Sequence, residues 1–211
     1  DDILQGLAAL GFDTPTPVQE QIIPALLAKR TDLVGLAQTG TGKTAAFAIP
    51  LIQRTDADRK QTQALVLCPT RELCVQVAKD ITALSRYVKG LKVLAVYGGA
   101  SIEHQIKSLR RGIHIVVATP GRLHDLIRRG RVDISAIGTV VLDEADEMLQ
   151  MGFQDELNAI LDVTPRDRST LLFSATMPAG VAAIAGKDMK NPLEITVGRR
   201  NAGAENVRHV Y

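Results

Sequence analysis

Short runs of consecutive apolar residues alternate along this chain with longer stretches in which apolar residues recur every three or four positions. The runs cover 33–36, 64–68, 93–97, 113–118, 139–142, 170–173 and 193–197. They are mostly continuous rather than alternating, the pattern of strands buried on both faces of a parallel sheet. The helical spacing between them predicts helices over 71–85, 101–111, 122–129, 155–161 and 179–188. Ahead of the first strand, Ile3, Leu4, Leu7, Ala8 and Leu10 lie at helical spacing, and Gly11 stops that helix. A second helix starts near Pro17, a tolerated first-turn proline, and presents Ile22, Ile23, Leu26 and Leu27, with a break expected at Pro24. Strand, turn, helix in repetition predicts an α/β fold, a mainly parallel sheet flanked by helices on both faces. Ligands in such a fold sit at the carboxyl ends of the strands. No shift in composition divides the chain, so it reads as one domain.

Composition narrows the functions. Of 211 residues, 45% are apolar and 23% charged, enough apolar material for a sizeable core. The net charge of +2 says little about partners, so any nucleic-acid surface would have to be local. Aromatic residues make up 3% with no Trp, which argues against reading bases mainly by stacking. Cys68 and Cys74 make no metal pattern and read as small buried thiols. His104, His114, His124 and His209 have no metal spacing. No apolar run reaches membrane-spanning length, so a membrane partner is not expected and a cytoplasmic location is. The chain begins at Asp1 without Met and is expected to be a fragment. Two basic clusters, Lys107/Arg110/Arg111 and Arg128/Arg129/Arg131, read as solvated helix ends.

The first strand runs into Ala37-Gln38-Thr39-Gly40-Thr41-Gly42-Lys43-Thr44, followed by a helix-compatible segment. Strand, glycine-rich turn, helix is the setting of a phosphate-binding loop, where backbone N–H groups cradle anionic oxygens. Lys43 supplies a point charge for outer phosphates, and the Thr44 hydroxyl can bind Mg²⁺. The general pattern has Gly where Ala37 stands. The run 139–142 ends in Asp143-Glu144-Ala145-Asp146, three carboxylates in four residues. Their mutual repulsion suits a bound cation, with Asp143 placed to hold it and Glu144 to orient or deprotonate a water. The alternative is an acidic cap on the following helix.

Taken together these motifs resemble the N-terminal RecA-like domain of a DEAD-box ATP-dependent RNA helicase of bacterial type, over essentially the whole chain. That family's phosphate loop carries Ala where Ala37 stands. Phe12-Asp13-Thr14-Pro15-Thr16-Pro17-Val18-Gln19 resembles its adenine-reading Q motif. Phe12 can stack on the base, Gln19 can pair with its N6/N7 edge, and the Thr14 carbonyl can take a further N6 hydrogen. Pro69-Thr70-Arg71-Glu72-Leu73, Gly98-Gly99 and Thr119-Pro120-Gly121-Arg122 resemble its RNA-backbone motifs. Each follows an apolar run. Contacts of this kind grip sugar and phosphate without reading sequence. The plainer reading makes Thr70 and Thr119 helix caps and the arginines solvated. Ser174-Ala175-Thr176 resembles the motif coupling hydrolysis to RNA binding, through hydrogen bonds to Asp146.

The resemblance implies an ATP- and Mg²⁺-binding domain, residues 1–205, with 206–211 beginning a linker to a second RecA-like domain of the same chain. It implies an enzyme that couples ATP hydrolysis to local separation of RNA duplexes, with Lys43, Asp143 and Glu144 catalytic. The alternative is an ATP-gated RNA clamp that does not unwind. An arginine finger from the second domain would be worth roughly 10³–10⁵ in rate. This fragment alone is therefore expected to bind nucleotide, hydrolyse it negligibly and hold RNA weakly.

Overall fold

The computed structural model describes residues 2–38, 40–197 and 207–208; Thr39 and most of the expected linker lie outside them. Two helices open the chain, α1 (Asp2–Ala9) and α2 (Pro17–Ala28). Strand and helix then alternate through β1 (Leu33–Ala37), α3 (Lys43–Arg54), β2 (Ala64–Leu67), α4 (Arg71–Leu84), β3 (Val93–Val96) and α5 (Ile102–Leu109). Next come β4 (Ile115–Ala118), α6 (Pro120–Arg128), β5 (Thr139–Leu142), α7 (Ala145–Gln150) and α8 (Gln154–Val163). The last elements are β6 (Ser169–Ser174), α9 (Ala179–Asp188), β7 (Leu193–Val197) and β8 (Val207–Arg208).

The sheet order is β3-β4-β2-β5-β6-β1-β7-β8. The pairings from β3 to β7 are all parallel, and β8 adds an antiparallel edge. All seven parallel strands therefore end at one edge, which collects the turn after each strand.

Alternate residues of each strand feed two separate cores. Val66, Val117, Val141, Leu171 and Phe173 pack beneath α1 to α4 with Ile22, Phe47, Val77 and Ile81. Leu65, Leu67, Val116, Val140 and Leu172 pack against the opposite layer with Leu123, Leu126, Met148, Leu157 and Val181. The Phe47 and Phe173 rings meet at 5.4 Å between centroids, tilted by 41°. Burying such a side chain is worth about 1.5–3 kcal/mol. The opposite edge is tied by Asp32, whose buried carboxylate accepts from the N–H groups of Thr170 (2.7 Å) and Lys190 (2.5 Å).

One expectation fails here: α2 runs unbroken through Pro24. Pro24 has no N–H to give the Glu20 carbonyl, but Glu20 is exposed, so water can replace that donor. Ile22 and Leu26, both buried, hold the helix on either side. The short helix α7 was anticipated only as the alternative to a cation site. Among the described residues, no helix is long and apolar enough to cross a membrane.

Candidate active site and nucleic-acid interface

The phosphate loop leaves β1 at Ala37 and enters α3 at Lys43. Gly42 caps α3 with φ of 90°, a conformation only glycine adopts cheaply. A Cβ there would also stand 2.6 Å from Gln19 Nε2 and 2.9 Å from Thr16 Oγ1. The Thr41 hydroxyl donates to the Gln38 carbonyl at 2.9 Å, closing the turn. Lys43 is buried and Thr44 half-buried at the start of the helix, where free N–H groups face the loop.

Gln19 does not stand as an open amide for adenine. It is buried, its Oε1 accepts from the Thr16 N–H at 2.9 Å, and its Nε2 donates to the Gly42 carbonyl at 3.2 Å. It therefore fastens the start of α2 to the phosphate loop, and reading a base edge would require exchanging these bonds. The Phe12 ring is 44% exposed and Thr14 is exposed, so both remain open to a base.

Across β6 from the phosphate loop, β5 ends at the acidic motif. Lys43 Nζ lies 3.9 Å from Asp143 Oδ1, with both side chains buried. That oxygen has no hydrogen-bond partner among the described residues. Burial pushes the Asp143 pKa up, against the opposing pull of Lys43 and the Glu144 N–H. Glu144 sits at φ 55°, the left-handed region that non-glycine residues rarely enter. Its pKa is pushed up to about 7, first by burial, then by a hydrogen bond with Glu147 and the negative charges of Asp143 and Glu147. Glu144 also occupies the cap of α7 without a side-chain capping bond, so the acidic-cap reading explains its position but not its conformation. The orphaned, buried Asp143 oxygen and the Thr44 hydroxyl at the start of α3 are oxygen donors of the kind that fits Mg²⁺, which takes few protein ligands and keeps water and phosphate oxygens for the rest.

Asp146 turns toward β6 instead. Its Oδ2 accepts from the Thr176 N–H at 3.0 Å and the Thr176 hydroxyl at 2.7 Å. Its own N–H donates to Ser174 Oγ at 3.3 Å. Burial acts to raise its pKa, and these hydroxyl and N–H bonds outweigh it, so the carboxylate is held below its ordinary range. The three carboxylates are thus divided: Asp143 lies beside Lys43, Glu144 beside Glu147, and Asp146 at the β6 end.

The remaining motifs follow β2, β4 and β3, neighbours on the same sheet edge. Thr70 caps α4, accepting from the Leu73 N–H at 3.2 Å. Pro69 is buried and Arg71 exposed, its guanidinium 5.0 Å from the centre of the Tyr97 ring beside the Gly98-Gly99 turn. Thr119 caps α6 without a side-chain capping bond, Pro120 is buried in its first turn, and Gly121 is partly open. Arg122 is not a free phosphate ligand as expected. Both its Nη atoms donate to the Ala100 carbonyl at 3.1 Å, and Nη1 also reaches Gln105 Oε1 at 3.1 Å. It holds the glycine turn rather than projecting from it.

Gln105 is the functional candidate that the sequence reading passed over. It is buried, and its Nε2 donates to the Tyr97 carbonyl at 3.0 Å. A polar residue beside Ile102, Ile106 and Leu109 on the apolar face of α5 was the available signal.

A phosphate loop and an acidic strand end on one edge of a parallel sheet define a P-loop nucleotide-binding α/β domain. The DEAD/DEAH box helicase model matches residues 16–184, and the chain belongs to that family. It is 47% identical over 209 residues to "ATP-dependent RNA helicase DeaD" of Mycobacterium tuberculosis, covering 99% of this chain and 37% of that protein. The protein of the same name from Escherichia coli is 49% identical over 195 residues, covering 92% and 31%. The crystal structure of a DEAD box protein from the hyperthermophile Methanococcus jannaschii superposes with a TM-score of 0.90 at 43% identity, covering 94% of this chain and 54% of that one. The chain thus spans about a third of the length of the curated relatives it matches.

Proposed function

We propose that this chain is the ATP- and RNA-binding half of an RNA helicase core, working in the cytoplasm with a second RecA-like domain of the same protein. The approach of Lys43 to the orphaned Asp143 oxygen carries the reading. Two opposite charges buried side by side at a sheet edge, with an acceptor left over, suit a phosphate and a divalent cation arriving together. Mg²⁺ would be held by Thr44 and Asp143, largely through water, and would offset the charge of the phosphates. The loop residues Gln38 to Thr44, Thr39 included, supply N–H groups and Lys43 supplies charge. Glu144 orients or deprotonates the attacking water. Phe12 and Thr14 meet adenine, and Gln19 joins them when it releases Gly42.

Asp146, Ser174 and Thr176 connect this half of the edge to the other. RNA lies across Pro69, Thr70, Arg71, Gly98, Gly99, Thr119, Pro120 and Gly121, with Arg122 setting the shape of the turn. Contacts to backbone alone make the binding independent of sequence. With few phosphate contacts its logarithmic salt slope should be about −2. Unwinding is preferred to a clamp because the matched relatives are named helicases.

RNA-stimulated ATP turnover, measured on this chain and on the protein with its second domain, tests the reading. The longer protein should turn over ATP in response to RNA and release short duplexes, and this chain should bind nucleotide with negligible turnover. Turnover by this chain at the rate of the longer protein would overturn the requirement for a second domain.

A further inference from the structure

On the sheet edge opposite the phosphate loop lies a cavity of about 320 Å³. Its walls come from three segments distant in sequence: 60–62 ahead of β2, 109–113 ahead of β4, and 130–133 between α6 and β5. Each contributes one cation, Lys60, Arg110 and Arg131, against a single carboxylate, Asp133. Among the described residues none of the three cations forms an ion pair, while the Asp133 carboxylate is turned to the Ser135 N–H at 2.9 Å. One arginine from each of the two clusters that read as solvated helix ends therefore lines one hollow, joined by a lysine from a third loop.

The walls are fixed by the fold. The buried Thr62 hydroxyl donates to the Ile113 carbonyl at 3.1 Å, and the Arg131 N–H to the Leu126 carbonyl at 2.9 Å. Gly112, at φ 74°, lets the 109–113 turn close on the 60–62 segment: a Cβ there would stand 2.9 Å from the Lys60 Cβ. Three like charges gathered at a preformed hollow repel one another, and a multiply charged anion relieves that cost. The volume is at the lower end of the range for small-ligand sites, roughly 300–1,000 Å³. No aromatic side chain lines it, so nothing there would stack a base.

We propose that this cavity is a second anion site, binding a small polyphosphate between Lys60, Arg110 and Arg131. It lies a strand's length, roughly 13 Å, from the nucleotide edge, too far to share that ligand. Charged hydrogen bonds from flexible cations suit a compact anion whose oxygens point in several directions.

Calorimetric titration with inorganic tripolyphosphate tests this, using the Lys43→Ala chain so that the phosphate loop is weakened. One molar equivalent should bind, and Lys60→Glu combined with Arg131→Glu should weaken binding roughly tenfold or more. Arg110→Glu should do the same, and Arg128→Glu, an exposed reversal outside the cavity, should not. All these positions are exposed, and each variant's thermal unfolding is compared with the parent. A short oligouridylate titrated in parallel distinguishes a free polyphosphate from the same groups in an RNA backbone. Tripolyphosphate binding that is absent, unchanged by the cavity reversals, or equally reduced by Arg128→Glu overturns the proposal. So does a cavity-dependent loss seen with the oligonucleotide alone.

Discussion

Gln105 Oε1 accepts from Arg122 Nη1 at 3.1 Å, joining the middle of α5 to the first turn of α6. Through the Ala100 and Tyr97 carbonyls the same two side chains hold both ends of the Gly98-Gly99 turn. Gln105 touches no ligand in the proposed function, yet it sets the turn that would. Gln105→Ala should weaken single-stranded RNA binding about fivefold, the worth of roughly one hydrogen bond's orientation. Nucleotide affinity should be unchanged. Fluorescence anisotropy with labelled RNA and with labelled nucleotide separates the two, and equal losses in both would point to general damage.

Thr176 gives Asp146 both an N–H and a hydroxyl. Thr176→Val keeps the shape and removes the shorter bond, which, made to a charged partner, is worth about 1.5–3 kcal/mol. In the protein with its second domain, nucleotide affinity should persist while the stimulation of ATP turnover by RNA falls. Steady-state turnover with and without RNA checks this, and undiminished stimulation would remove Thr176 from the coupling.

Asp32 serves the opposite edge. Asp32→Ala leaves the Thr170 and Lys190 N–H groups without their acceptor, at about 1–3 kcal/mol each when buried. Urea unfolding should show a loss of about 2–4 kcal/mol, with nucleotide affinity preserved under native conditions.

His114 is buried and accepts the Lys92 N–H at Nδ1 (3.0 Å). Burial lowers its pKa, the Lys92 charge adds to this, and the Ala57 carbonyl and Asp56 oppose it. Below about pH 6.5 the unfolded chain takes up this proton more readily than the folded one. Its contribution is therefore complete above that pH and is lost as pH falls toward the depressed folded value. His114→Gln should flatten the fall in unfolding free energy between neutral and mildly acidic pH. An unchanged slope would assign the dependence to other groups.

The sheet and the placing of the motifs from Ala37 onward were legible because each of them follows an apolar run, and every parallel strand delivers its following turn to one edge. The orientation of particular side chains was not. Gln19 and Arg122 were assigned by what their groups can do. What they do depends on the Gly42 and Ala100 carbonyls, which come near only when the chain folds. Pro24 shows a local rule yielding to packing on both sides of it. Lys60, Arg110 and Arg131 carry no periodic signal that would join them, since three separate loops bring them together.

Lys43 and Asp143 together make up the proposed ATP·Mg²⁺ site. Titration of this chain with a fluorescent ATP analogue, with and without Mg²⁺, tests it most directly when repeated on a Lys43→Ala chain that still melts cooperatively. Binding should depend on Mg²⁺, and Lys43→Ala should weaken it roughly tenfold to a hundredfold, the worth of a charged hydrogen bond to phosphate. Equal affinity in the two chains, or binding indifferent to Mg²⁺, would contradict it.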